Sequence, residues 1–121
     1  MQTQQQLLGK QAETAARGYL ERHGLRFVTC NYHCHFGELD LIMRDGEYLV
    51  FVEVRYRKPS GYGDGIDSIT NSKKQKLISS AKCYLLERNL FDKIPCRFDV
   101  IAAAPGKENK INWIKDAFWV K

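Results

Sequence analysis

The sequence predicts an α/β protein with a mixed central sheet flanked by helices, in the order α-β-β-β-α-β-β. Two segments carry apolar residues at helical spacing, several short runs are rich in aromatic and β-branched residues, and glycine or proline separates one from the next. Three strands joined by short turns form an antiparallel meander, whereas a strand, helix, strand crossover demands parallel pairing. The sheet is therefore mixed, with a helix on each face.

The first helix spans Thr3 to His23: Leu8, Ala12, Ala15, Ala16, Tyr19 and Leu20 recur on one side, and Gly24 is placed to end it. Leu25 to His33 (LRFVTCNYH) and the alternating Glu38 to Arg44 (ELDLIMR) read as strands separated by Gly37. Tyr48 to Tyr56 (YLVFVEVRY) is nearly continuous apolar sequence, as in a central strand covered on both faces, and Asp45-Gly46 before it signals a two-residue hairpin. Lys58 to Asp67 (KPSGYGDGID), with its proline and glycines, reads as a surface loop. The second helix has Ser68 or Thr70 as N-cap, turns Leu77, Ile78, Ala81, Tyr84 and Leu85 inward and ends near Asn89. After Pro95, Arg97 to Ala103 (RFDVIAA) reads as the fourth strand, and after Pro105-Gly106, Ile111 to Ile114 (INWI) reads as the fifth. There is no repeat or low-complexity tract, so residues 1–121 read as one domain.

The composition, 44% hydrophobic over 121 residues, suffices for one core. No stretch nears the roughly 20 apolar residues of a membrane span, and Met1 to Gln6 is polar where a signal peptide needs an apolar run, so the cytoplasm is expected. Cys30, Cys34, Cys83 and Cys96 are irregularly spaced and read as reduced thiols. The formal charge of +5 favours an anionic partner, above all a nucleic acid.

A register count locates the chemistry. If Asp45-Gly46 is the turn, Arg44 faces Glu47, Asp40 faces Phe51 and Glu38 faces Glu53. Asp40, Glu53 and Arg55 then share one face, with the two acids diagonal neighbours roughly 7 Å apart, close enough to hold one divalent cation. Carboxylates amid apolar strands are costly unless paired or bound to metal. An ion network with Arg55 and Arg57, or emergence of the sheet into solvent, is the plainer reading of either acid alone. Two acids on adjacent strands, a cation two residues on and Glu13 on a preceding helix are together what a metal-dependent phosphodiesterase needs.

Glu13, Gly37-Glu38-Leu39-Asp40-Leu41-Ile42 and Phe51-Val52-Glu53-Val54-Arg55 resemble the nuclease superfamily whose signature is an aspartate followed by Glu-x-Lys. From end to end, including Lys74, Ala81, Tyr84-Leu85 and Arg97-Phe98-Asp99-Val100, the chain is similar to the YraN-like family of small bacterial proteins, relatives of archaeal Holliday-junction resolvases. The resemblance implies a restriction-endonuclease-like fold, Mg²⁺ (or Mn²⁺) held by Asp40 and Glu53, Glu13 as an accessory acid, and a nucleic-acid substrate. DNA, branched DNA included, is the preferred expectation; a junction, a flap, a nick and RNA all stay open, and a homodimer is one option because junction-cutting relatives act as dimers. Arg55 stands where the signature has lysine. Arginine binds phosphate but cannot act as a general base. Lys74 or Lys76 on the second helix is a candidate for the missing ammonium, as in superfamily members that carry this lysine on that helix, and a solvated basic helix face is the plainer reading of each. Lys58, Lys73, Lys74 and Lys76 are the expected phosphate contacts.

Other signals are set aside. Cys30, His33, Cys34 and His35 suggest zinc, but strand alternation sends the cysteines to one side and the histidines to the other, with no second ligand pair downstream. Trp113, Phe118 and Trp119 read as a satellite of the core or an oligomer contact rather than a base-stacking surface. Gly61, Gly63 and Gly65 lack the Gly-Lys-Ser/Thr of a phosphate loop. Three functions stay open: a Mg²⁺-dependent endonuclease acting on DNA with Asp40, Glu53, Glu13 and Arg55 as its catalytic group, a non-catalytic nucleic-acid-binding module with a degenerate site, and a protein-interaction scaffold.

Overall fold

The structure, a computed structural model, describes residues 2–56, 69–104 and 110–118. The expected loop with Lys58, Ser68, the Pro105-Gly106 turn and Trp119 lie outside them. The elements are α1 (Gln4–Arg22), β1 (Arg26–Cys34), β2 (Gly37–Asp45), β3 (Tyr48–Tyr56), α2 (Asn71–Glu87), β4 (Cys96–Ala104) and β5 (Lys110–Phe118). This is the predicted order. The five strands lie side by side in chain order, with β3 and β4 parallel and every other pair antiparallel.

Local chemistry sets the helix ends. Thr3 and Gln6 form a reciprocal capping box: the Thr3 hydroxyl accepts from the Gln6 N–H at 3.1 Å and the Gln6 side chain accepts from the Thr3 N–H at 3.0 Å. Gly24, at φ +93°, ends α1, and the Leu25 N–H reaches back to the Leu20 carbonyl at 3.0 Å. On α2, Thr70 is the N-cap, accepting from the Lys73 N–H.

Two apolar layers flank the sheet. Ala12, Ala16 and Leu20, four residues apart on α1, cover Leu41, Met43, Val50, Val52, Ile101 and Ala103. On the other face, Leu77, Ile78, Ala81, Tyr84 and Leu85 of α2 cover Leu39, Ile42, Leu49, Phe51, Phe98 and Val100. Phe51, Phe98 and Phe118 stack in series, with centroids 5.3 and 4.9 Å apart. Because β3 feeds both layers alternately, its apolar run is unbroken in sequence.

Two expectations need correction. The β2–β3 turn residues are Gly46 and Glu47, with Asp45 paired to Tyr48, so the pairing is shifted by two: Ile42, not Asp40, faces Phe51. Gly46 takes the left-handed backbone at φ +58°, while Asp45 is held in the strand by Arg97, 2.8 Å away. The alternation of sides also breaks. Leu39 and Ile42, three residues apart, both face α2, while Leu41 between them faces α1. On β1, Cys30 lies beside Glu13 and Thr14, whereas Tyr32 meets Tyr84 of α2. Asn31 sits at that switch with φ +52°. Cys30 and Cys34 are thus on opposite sides of the sheet, and the parity that put Asp40, Glu53 and Arg55 on one face does not extend to Asp40.

Candidate metal centre

Asp40 sits at the break, and this decides what its carboxylate can reach. The β2–β3 ladder ends at Leu41 and Val52. Beyond that pair, Asp40 Oδ2 accepts the Val54 N–H at 2.9 Å, so a side chain takes up a strand donor that a regular ladder would give to backbone. The carboxylate is thereby fixed between β2 and β3, within reach of groups from both sides of the sheet.

On the α1 side, Glu13, Glu38 and Asp40 bring carboxylate oxygens within 4.8 Å of one another. They line an open cleft of about 500 Å³ together with Gln6, Lys10, Asn31 and His33. On the α2 side is Glu53, buried, with Arg55 Nη1 at 3.7 Å and Lys73 Nζ at 3.6 Å from its Oε2. Glu53 is not among the residues lining the cleft; it joins the group through a hydrogen bond from its protonated carboxyl to Asp40.

The electrostatics follow from crowding. Burial, then the proton shared with Asp40 and the Asp40 charge, push Glu53 up to about 8; Lys73 and Arg55 oppose this without cancelling it. Burial, then Asp40 and Glu38, push Glu13 up to about 7 against the pull of Lys10. Neutralisation by protons marks a place short of positive charge.

The donor set fits a hard divalent ion. All ligands are carboxylate oxygens, and opposite ligands of Mg²⁺ stand roughly 4.2 Å apart, so small side-chain rotations suffice. Glu13, Glu38 and Asp40 are, among the described residues, the one group of three or more metal-capable side chains this close together.

Each expected site residue can now be placed. Glu13 and Asp40 come together directly, Glu53 joins through its hydrogen bond to Asp40, and Arg55 lies beside Glu53. Lys73, expected as a phosphate contact, is paired with Glu53. Lys74 lies half-buried, 5.8 Å from the Phe118 ring centroid, and Lys76 is exposed. Sequence reasoning missed Glu38 as a member and Lys73 as a neighbour of Glu53. Signals existed for both: Glu38 is two residues from Asp40, and Lys73 is one helical turn before buried Leu77.

The class of protein is thus an α/β fold with a mixed five-stranded sheet, one helix on each face and acids gathered where two strands part. The family model described as "Uncharacterised protein family UPF0102" matches residues 12–103, and the chain belongs to that family. It is similar to UPF0102 proteins of Legionella pneumophila (54% identity over 110 residues, covering 91% of this chain and 92% of the relative) and Nitrosococcus oceani (49% over 114 residues, 93% and 92%). A Pseudomonas fluorescens UPF0102 protein is 45% identical over 120 residues, covering 98% of each. Among the described residues no helix is long and apolar enough to cross a membrane.

Proposed function

We propose that this protein is a Mg²⁺- or Mn²⁺-dependent endonuclease acting on DNA, with branched DNA as the preferred form. The observation that carries the reading is the convergence of Glu13, Glu38 and Asp40, with Glu53 hydrogen-bonded to Asp40, at an open cleft. Such a site would bind the cation through Asp40 with Glu13 and Glu38, and Glu53 would join the ligand set on losing its proton. A bound divalent ion supplies charge stabilisation for an attacked phosphate and acidifies water. Arg55 presents a planar guanidinium suited to gripping a phosphate oxygen, while the Lys73 ammonium beside Glu53 offers the compact charge that the Glu-x-Lys signature places on the strand. Lys74, Lys76 and Lys58 would contact phosphates further along the duplex. Cytoplasmic placement and action as a homodimer belong to the same proposal.

Arg55 also supports a second reading, a nucleic-acid-binding module without turnover. Cleavage of branched and nicked DNA by the wild type, Arg55→Lys, Glu53→Gln and Lys73→Ala separates the two. For the nuclease, Glu53→Gln lowers the rate about 100-fold or more, in line with loss of a positioned catalytic group. Arg55→Lys raises it, and Lys73→Ala lowers it. Full activity in Glu53→Gln refutes the site. No cleavage by the wild type or Arg55→Lys, with DNA binding retained by both, favours the binding module.

A further inference from the structure

Away from the acidic cleft, a second polar cluster forms where the β1–β2 turn meets α2. Tyr32 and Cys34, two residues apart at the end of β1, face that helix, and the Tyr32 ring meets Tyr84 edge-on at 5.2 Å. Gly37, the first residue of β2 and paired with Cys34, lies so near α2 that a Cβ on it would be 3.6 Å from Ser80 Oγ. Ser80 and Cys83 are one helical turn apart. The Ser80 hydroxyl is fully buried and makes no hydrogen bond, and the Cys34 sulfur is among its neighbours. The N–H groups of Phe36 and Gly37 and the thiol of Cys83 lie near that sulfur as well and favour its charged form. Both cysteines are unbonded and half-buried, so small solutes can reach them.

We propose that Cys34 and Cys83 are a peroxide-reactive dithiol, a modification site that closes a reversible disulfide between the β1–β2 turn and α2. The two sulfurs have distinct parts. Partial burial works against ionisation of Cys34, yet the donors around it outweigh this and hold its thiol below the ordinary value. Burial, the hydrogen bond to Cys34 and its charge raise Cys83. Cys34 is therefore the attacking thiolate and Cys83 the resolving thiol. The Cys34 sulfur attacks one oxygen of hydrogen peroxide: an S–O bond forms, the O–O bond breaks, and the departing hydroxide takes up the proton that Cys34 had released. Cys34 is then a sulfenic acid. The Cys83 sulfur attacks it, the S–O bond breaks, the hydroxyl leaves with the Cys83 proton as water, and the S–S bond forms. Two thiols lose two electrons in all, and one peroxide becomes two waters.

The inference stands apart from the proposed nuclease activity, and its test needs no DNA. The whole protein is treated with dilute hydrogen peroxide, alkylated and digested without reduction, and its peptides are mapped by mass. A Cys34–Cys83 peptide is expected before Cys30 or Cys96 is modified, and dithiothreitol should reverse it. In Cys83→Ser the link is lost and dimedone traps a sulfenic acid at Cys34. In Ser80→Ala, alkylation of Cys34 by iodoacetamide at neutral pH slows severalfold. Circular dichroism checks the fold of each variant, and the wild-type arm needs no substitution. Thiols intact at Cys34 and Cys83 while exposed Cys30 oxidises, a disulfide through Cys30 or Cys96 instead, or an unchanged rate in folded Ser80→Ala overturns the proposal.

Discussion

Asp40 shows how one residue gathers groups from several elements. Its carboxylate occupies a strand donor, Val54 N–H, at the point where β2 and β3 separate, and so meets Glu13 from one side of the sheet and Glu53 from the other. The aspartate itself was legible in the sequence as an acid interrupting apolar strands. Its reach was not, because a count by twos assumes unbroken alternation. Asn31 was the one available hint, since asparagine enters the left-handed backbone more readily than most residues.

A pH dependence follows from the crowded acids. In the unfolded chain both glutamates ionise near 4.5, whereas in the fold Glu13 is raised to about 7 and Glu53 to about 8. Over that interval the folded state binds more protons than the unfolded state, so the slope of unfolding free energy with pH is negative. The stability these groups contribute is complete below about pH 4.5 and lost as pH rises through about 8. Thermal melts with a chelator should show a decline for the wild type that is shallower in Glu53→Gln, and saturating Mg²⁺ should offset it because the ion replaces the missing protons. Wild-type and Glu53→Gln melts running parallel across the interval would contradict this.

At the scale of elements, the hairpin shows what sequence signals settle and what they leave open. Asp-Gly correctly marked a tight turn, but Asp45 is pulled back into the strand by Arg97, a partner 52 positions away that no local rule sees. The fifth strand was underestimated for a related reason. Its far end is shaped by buried Asp99, whose oxygens accept from Arg97 Nε (3.0 Å) and Nη2 (3.2 Å), Trp113 Nε1 (2.9 Å) and Asp116 N (3.0 Å). Asp116, at φ +57°, lies opposite the irregular pairing between Phe98 and Val100. Asp99→Ala leaves those donors and the Arg97 charge without their acceptor, which should cost about 3–5 kcal/mol in urea unfolding. Thr70→Ala, which removes only an exposed helix cap, should cost about 1 kcal/mol. Similar losses for both would mean that the Asp99 network adds little.

For the whole molecule, the two-sided apolar pattern of β3 and the spacing of two helices were enough to fix the layers, because burial on both faces of one strand leaves few arrangements. Charge is a weaker guide. A formal +5 is compatible with DNA binding but does not locate it. Binding of branched DNA should be micromolar at low salt and weaken steeply as salt rises. Lys74→Glu with Lys76→Glu should lower the affinity and flatten the logarithmic salt dependence by about 1–2. Lys73 is left intact in that experiment because reversing it would set a carboxylate against Glu53. An affinity indifferent to salt and to both changes would make this basic face merely solvated.

The most direct measurement is calorimetric titration of the protein with Mn²⁺ near neutral pH, for the wild type and Asp40→Asn, repeated in buffers of differing ionisation heat. The expected result is saturable binding by the wild type with protons released to the buffer, as Glu13 and Glu53 ionise, and at least about tenfold weaker binding by a folded Asp40→Asn. Equal Mn²⁺ affinity in the two proteins, or binding with no proton release, would contradict a metal centre built on Asp40.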